Sequence, residues 1–185
     1  MAEGAAQKIV NAIRTSLSQS EGDPLDANVK FTYGLPSELE NTHRSENEIS
    51  IFLYDVHEDL SARHGDVRNY DAVGKRFAAG SVRLNYCFLI THWGPQVKAF
   101  GAETMQGKSL TLADFIVRRL INLRELTDIA GSYCRVLPPS EGLSSLGSFW
   151  QALGNRPRLC LGYTVTVPIR LDSKKEGEIG MVRPF

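Results

Sequence analysis

The chain has no apolar run near the roughly 18 residues that a membrane span needs. It has no net charge: 21 Lys plus Arg are balanced by 21 Asp plus Glu. A balanced chain argues against nonspecific nucleic-acid binding, which requires a basic face. It also leaves little repulsion to keep copies apart. Cysteine is scarce, and Cys87, Cys134 and Cys160 form an odd, scattered set with no C-x-x-C. The four histidines, His43, His57, His64 and His92, never fall into H-x-x-x-H. Both absences argue against a zinc site. No serine stands in G-x-S-x-G, and Gly142–Leu146 is off that pattern. Met1–Gln19 carries Glu3 and lacks the apolar segment of a secretory signal, so synthesis in the cytoplasm is expected. Thiols stay reduced there, and buried free cysteines follow.

What is present is an ordinary globular composition, 42% apolar and 23% charged. At 185 residues one domain is expected, and a chain this long buries about 70% of its unfolded surface without staples. The reading is one domain over 1–171 and a tail over 172–185, either a docking arm or disordered.

Six of the eight residues from Ile49 to Val56 are apolar, which predicts a central strand, Glu48–Val56, buried on both faces. His57-Glu58-Asp59 marks its arrival at the surface. Ala5, Ile9, Val10, Ile13 and Leu17 fall on one helical face, so residues 5–18 read as a helix. Val29, Phe31 and Tyr33 alternate as in a short strand, followed by a loop over Gly34–Asn47. Residues 57–77 read as a loop or ragged hairpin end. Ala79–Thr91 predicts a long strand whose second face passes from polar (Arg83, Asn85) to apolar (Cys87, Leu89), running from a wet end into a covered one. A second helix is expected from Thr111, with Asp114 completing a capping box and Phe115, Ile116, Leu120, Leu123 and Leu126 as its stripe. Leu146–Leu153 reads as a short helix stopped by Gly154, and Arg158–Leu171 as the last long strand. Pro168 requires an edge or a bulge there. The sum is α+β, a mostly antiparallel or mixed sheet with helices packed on one face.

Two motifs suggest chemistry. Ala102–Ser109 matches the loose phosphate-binding loop, with Lys108 for the phosphates and Ser109 for magnesium. The usual opening glycine is Ala102, and the apolar strand Ile51–Asp55 precedes the loop instead of following it, so a nucleotide-binding protein is only the alternative reading. His57-Glu58-Asp59 sets an imidazole beside carboxylates, as acid–base or metal chemistry requires, but a solvated strand end accounts for it. Cys87 and Cys160 read as core.

Three segments in order, ISIFLYDVHEDL at 49–60, VRLNYCFLITHWGP at 82–95 and FWQALGNRPRLCLGYTVTVPIRL at 149–171, resemble the Pvc16 N-terminal domain family. Its members are tail terminators, or caps, of extracellular contractile injection systems, which are phage-tail-like particles. The chain departs from the family pattern at Gln96–Leu110, where a charged, leucine-rich helix is often found soon after the tryptophan. The resemblance implies a tail-terminator-like fold and a ring, expected to be hexameric, on the baseplate-distal end of the tube. It implies that the chain's partners are other copies of itself, the tube protein and the sheath protein, with no nucleic acid and no membrane. No catalytic, metal or cofactor-binding residue is implied. The candidate contact residues, read from the residues themselves, are Trp93 at a strand end, Arg118 and Arg119 on the second helix, and Phe185 in the tail.

Overall fold

A computed structural model describes residues 4–18, 29–35, 48–61, 70–71, 76–77, 80–93, 102–138, 146–154 and 160–171. In chain order the elements are α1 (Ala5–Ser18), β1 (Lys30–Thr32), β2 (Glu48–Glu58), β3 (Tyr70–Asp71), β4 (Arg76–Phe77), β5 (Ser81–Trp93), α2 (Ala102–Asn122), β6 (Tyr133–Leu137), α3 (Leu146–Ala152) and β7 (Cys160–Arg170). Five strands form one sheet in the order β1-β2-β5-β7-β6, and β3 and β4 pair as a separate small hairpin. Only β1 and β2 run parallel; the other pairs of the large sheet are antiparallel. The expected α+β class with a mixed sheet is what the chain adopts.

The helix periodicity of α1 is realised directly. Ile9, Ile13 and Leu17 are fully buried, and each side chain contributes roughly 2 kcal/mol by leaving water. They pack with Leu112, Ile116 and Leu120 of α2 onto one sheet face made by Ile49, Ile51, Phe88, Ile90, Tyr163, Val165 and Val167. The guanidinium of Arg14 sits 6.0 Å from the Phe31 ring centroid, tying α1 to the edge strand.

The opposite face alternates with the first, as the pleat requires. There Phe52 stacks on Phe149 and Trp93 meets Trp150 edge-on, both partners coming from α3. The two long helices therefore share one face, and the short one covers part of the other. Gly154 (φ 69°) takes the left-handed conformation that ends α3, with its N–H on the carbonyl of Gln151 at 3.0 Å.

Three expectations are corrected. The middle strand is β5, not β2, because β1 pairs only with Glu48–Ser50. For the same reason β2 is not buried on both faces throughout: its first half is buried, while Asp55, Val56 and His57 are exposed. The second helix starts at Ala102, not at Thr111, and stops at Asn122, so Leu123 and Leu126 belong to the turn beyond it. That turn is held by the N–H of Leu126 donating to Ser132 Oγ (2.8 Å) and by the N–H of Cys134 on the carbonyl of Arg124 (2.8 Å). It delivers β6, a strand the sequence reading did not foresee. Pro168 pairs with Arg83 on one side, while β6 reaches only as far as Thr166 on the other, so among the described residues no strand pairs with the proline there.

Candidate functional surfaces

The early start of α2 removes the phosphate-loop geometry. Residues Ala102–Ser109 are the first two turns of a helix, whereas a phosphate cradle needs an open loop that converges backbone N–H groups before a helix begins.

The candidate contact residues have separate fates. Trp93 is 1% exposed, packed against Trp150 inside the chain, and so is a core residue instead of a contact. A bulky aromatic at a strand end is drawn inward here because α3 closes over it. Arg118 is exposed and bonds Asp114 one turn earlier (Nε–Oδ2 2.7 Å), the acid-before-base order that a helix favours. Arg119 is half-buried, its guanidinium 5.2 Å from the Phe115 ring centroid, and its carbonyl accepts from Ser16 Oγ of α1 at 3.5 Å. The adjacent arginines thus face different surroundings. Thr111, Asp114, Arg118 and Ile121, all exposed and spaced three or four apart, form the solvent stripe of α2. Phe185 lies outside the described residues.

A second surface was not foreseen. Beyond the part of the sheet that α3 covers, the same face carries Asp55 and His57 of β2, Asn85 and Cys87 of β5, and Thr164 and Thr166 of β7. Register places Asp55 opposite Cys87 and His57 opposite Asn85, then Cys87 opposite Thr164 and Asn85 opposite Thr166. The Thr166 hydroxyl donates to Asn85 Oδ1 at 2.7 Å. That turns the amide Nδ2 toward His57 Nε2, 3.4 Å away. With Nε2 accepting, the proton sits on Nδ1 and is donated to Asp55 Oδ2 at 2.8 Å. Cys87 Sγ and Thr164 Oγ1 are 3.5 Å apart. Burial raises the Cys87 thiol above its ordinary pKa, opposed in part by the Thr164 hydrogen bond. Burial, then the charges of Cys87 and Asp55, pushes the neighbouring Tyr54 phenol up to about 12. A protonated, buried thiol is a poor nucleophile, so covalent catalysis is not what this face is suited to.

The sequence reading took His57-Glu58-Asp59 as a unit. In the structure the imidazole looks back to Asp55, two residues earlier on the same strand face. Period-two spacing in Asp55-Val-His57 and Asn85-Tyr-Cys87 was the available signal.

A sequence profile of the Pvc16 N-terminal domain matches residues 8–183. Two solved structures are similar over nearly the whole chain. One is the PVC sheath/tube terminator in the extended state, from a cryo-EM structure of an extracellular contractile injection system. It aligns at TM-score 0.65 and 35% identity, covering 95% of this chain and 60% of that one. The other is the tube-terminating cap of the anti-feeding prophage, at TM-score 0.66 and 36% identity, covering 94% of this chain and 57% of that one. The chain therefore spans 60% and 57% of the length of these two relatives. No curated protein sequence matches it significantly.

Proposed function

The chain belongs to the Pvc16 N-terminal domain family, and from that premise we propose that it caps the tube and sheath of an extracellular contractile injection particle and ends their growth. The observation that carries this reading is the 35% and 36% identity to a sheath/tube terminator and a tube-terminating cap over 95% and 94% of the chain. The role is structural and needs no catalysis. It needs one face complementary to the last tube ring and an opposite face that offers no further template.

The working assembly in this reading is a closed ring of copies, six by expectation, joined head to tail. Its partners are the tube protein and the sheath protein. The near-neutral charge is compatible with copies meeting side by side. The outer strands of the sheet, β1 and β6, are short (3 and 5 residues) against 11 to 13 for the strands between them, a common guard against uncontrolled edge pairing. Among the described residues, the solvent stripe of α2 with Arg118 is the contact surface we favour, and Arg119 supports it from behind.

The deciding experiment is electron microscopy of particles assembled with and without this chain. Tubes or sheaths of uncontrolled length, or particles lost without it, establish termination; particles of normal length bearing a normal cap refute it. Arg118→Glu refines the test: a folded chain that no longer joins rings or tubes assigns the contact to α2. An Arg118→Glu chain that assembles normally removes α2 from the interface.

A further inference from the structure

β2 carries one irregularity. Its register against β5 shifts between Leu53 and Asp55, so Tyr54 is an extra residue in the ladder. Without that bulge Asp55 and His57 would point to the helix-covered face, since a one-residue slip inverts every later side chain. With it they stand on the other face of the sheet, across from Cys87 and Asn85. The bulge gathers a carboxylate, an imidazole and a thiol whose ligating atoms all lie within 4.8 Å of one another.

We propose that Asp55, His57 and Cys87 bind a zinc ion. This assignment rests on the geometry of the chain alone and is independent of the capping role. It revises the sequence-based expectation of no metal, which rested on the missing C-x-x-C and H-x-x-x-H spacings. Here the ligands come from two strands and are paired only by the sheet.

The donor set suits the ion. Thiolate, imidazole and carboxylate are the three protein ligand types of zinc, and two anionic donors neutralise a dication. Ligands on tetrahedral zinc stand about 3.3–3.7 Å apart. His57 Nδ1 and Asp55 Oδ2, at 2.8 Å, must open slightly, and the cluster must draw in by about an ångström. Asp55 and His57 are half-exposed and free to adjust. Three protein donors leave the fourth position to water.

The surrounding residues meet the second requirement, an oriented imidazole. When Nδ1 binds metal the imidazole proton resides on Nε2, which then needs an acceptor. Turning the Asn85 amide over supplies its oxygen to Nε2–H, and the amide NH2 then donates to the Thr166 hydroxyl. The chain His57–Asn85–Thr166 works in either direction because a hydroxyl both donates and accepts. One proton leaves on binding, from the Cys87 thiol. Arg135, whose charge favours the thiolate, and the Tyr54 hydroxyl, hydrogen-bonded to Cys87, are the other charged or titratable groups acting on that sulfur.

The test uses the full chain without a histidine tag, reduced and metal-free, titrated with zinc chloride and separately with cobalt(II). The expected result is one zinc per chain and a thiolate-to-cobalt charge-transfer band that Cys87→Ser abolishes. His57→Gln, at an exposed position that does not threaten folding, should weaken zinc binding at least about tenfold. Cys160→Ser should leave both readouts unchanged. Absence of binding at micromolar zinc, or binding that survives both His57→Gln and Cys87→Ser, overturns the site. None of these readouts depends on ring or particle assembly, so failure here leaves the capping role untouched.

Discussion

The hydroxyl of Tyr163, a buried residue of β7, the fourth strand from the β1 edge of the sheet, lies 3.0 Å from the carbonyl oxygen of Leu123, just past the end of α2. The carbonyl of Leu120 shares it at 3.3 Å. A helix end leaves its last carbonyls without intrahelical partners, and here the sheet satisfies them from below. The contact ties the end of α2 to the sheet through a single atom.

Tyr163→Phe keeps the ring and removes that donor. Leaving a buried carbonyl unsatisfied costs about 1–3 kcal/mol. For a chain of this length each 1 kcal/mol lowers Tm by about 2–4 °C. Urea denaturation of the variant should show a lower midpoint with an unchanged slope. An unchanged midpoint would mean that water reaches the helix end.

Stability should fall in alkali, and Tyr54 sets part of the window. Its pKa rises from 10.0 to about 12, chiefly through burial. The raised value means the folded state holds the proton more tightly than the unfolded one. The contribution to stability is complete below pH 10 and is lost as pH climbs toward 12. Tyr163, also raised by burial, adds in the same direction. Denaturation midpoints between pH 9 and 12 should decline more steeply in the native chain than in Tyr54→Phe. Equal slopes would count against the buried phenol.

Trp150→Ala should be among the most damaging single changes. Trp150 is 1% exposed and contacts both Trp93 and Phe149 edge-on. Truncating a buried aromatic of this size costs about 3–5 kcal/mol. Trp93 is then the only tryptophan left, and its emission reports on the same site. A red shift in the folded variant is expected as α3 loosens; unchanged emission and stability would show that α3 does not seal this face.

Gly162 has a steric reason to be glycine. An added Cβ would stand 3.1 Å from Leu137 Cβ on the neighbouring strand β6. Gly162→Val should push that five-residue edge strand away and cost about 1–3 kcal/mol, as overpacking does. Hydrogen exchange should locate the loss in Tyr133–Leu137 and not in β2. Loss spread evenly over the sheet would contradict this.

Much of the frame was legible in the residues. The stripe Ile9, Ile13, Leu17 defined α1, and the alternation ending in Phe88 and Ile90 defined the covered half of β5, because burial of a fixed face imposes a period that needs no partner to be read. The wet-to-covered change along β5 appears as read: Val82 to Tyr86 are partly exposed and Cys87 to Thr91 buried. The start of α2 was misread. Thr111 and Asp114 form a good local cap, and Ala102–Lys108 mimics a loop motif through Gly107. Local signals at that point compete, and the continuous helix wins. β6 was missed since five residues with Arg135 at the centre carry too short a pattern to separate from a loop.

The sequence by itself determined the class of fold, the faces of α1 and β5, and the family, because hydrophobic period and ordered motifs are written along the chain. Tertiary structure alone decided that Trp93 turns inward, that Arg118 and Arg119 part company, and that Asp55, His57, Asn85, Cys87 and Thr166 share one surface. Those outcomes depend on register between strands far apart in sequence, 28 residues from His57 to Asn85 and 81 from Asn85 to Thr166. The bulge at Tyr54 selects the face. No local pattern encodes such a pairing; it is set by the packing energy of the whole sheet.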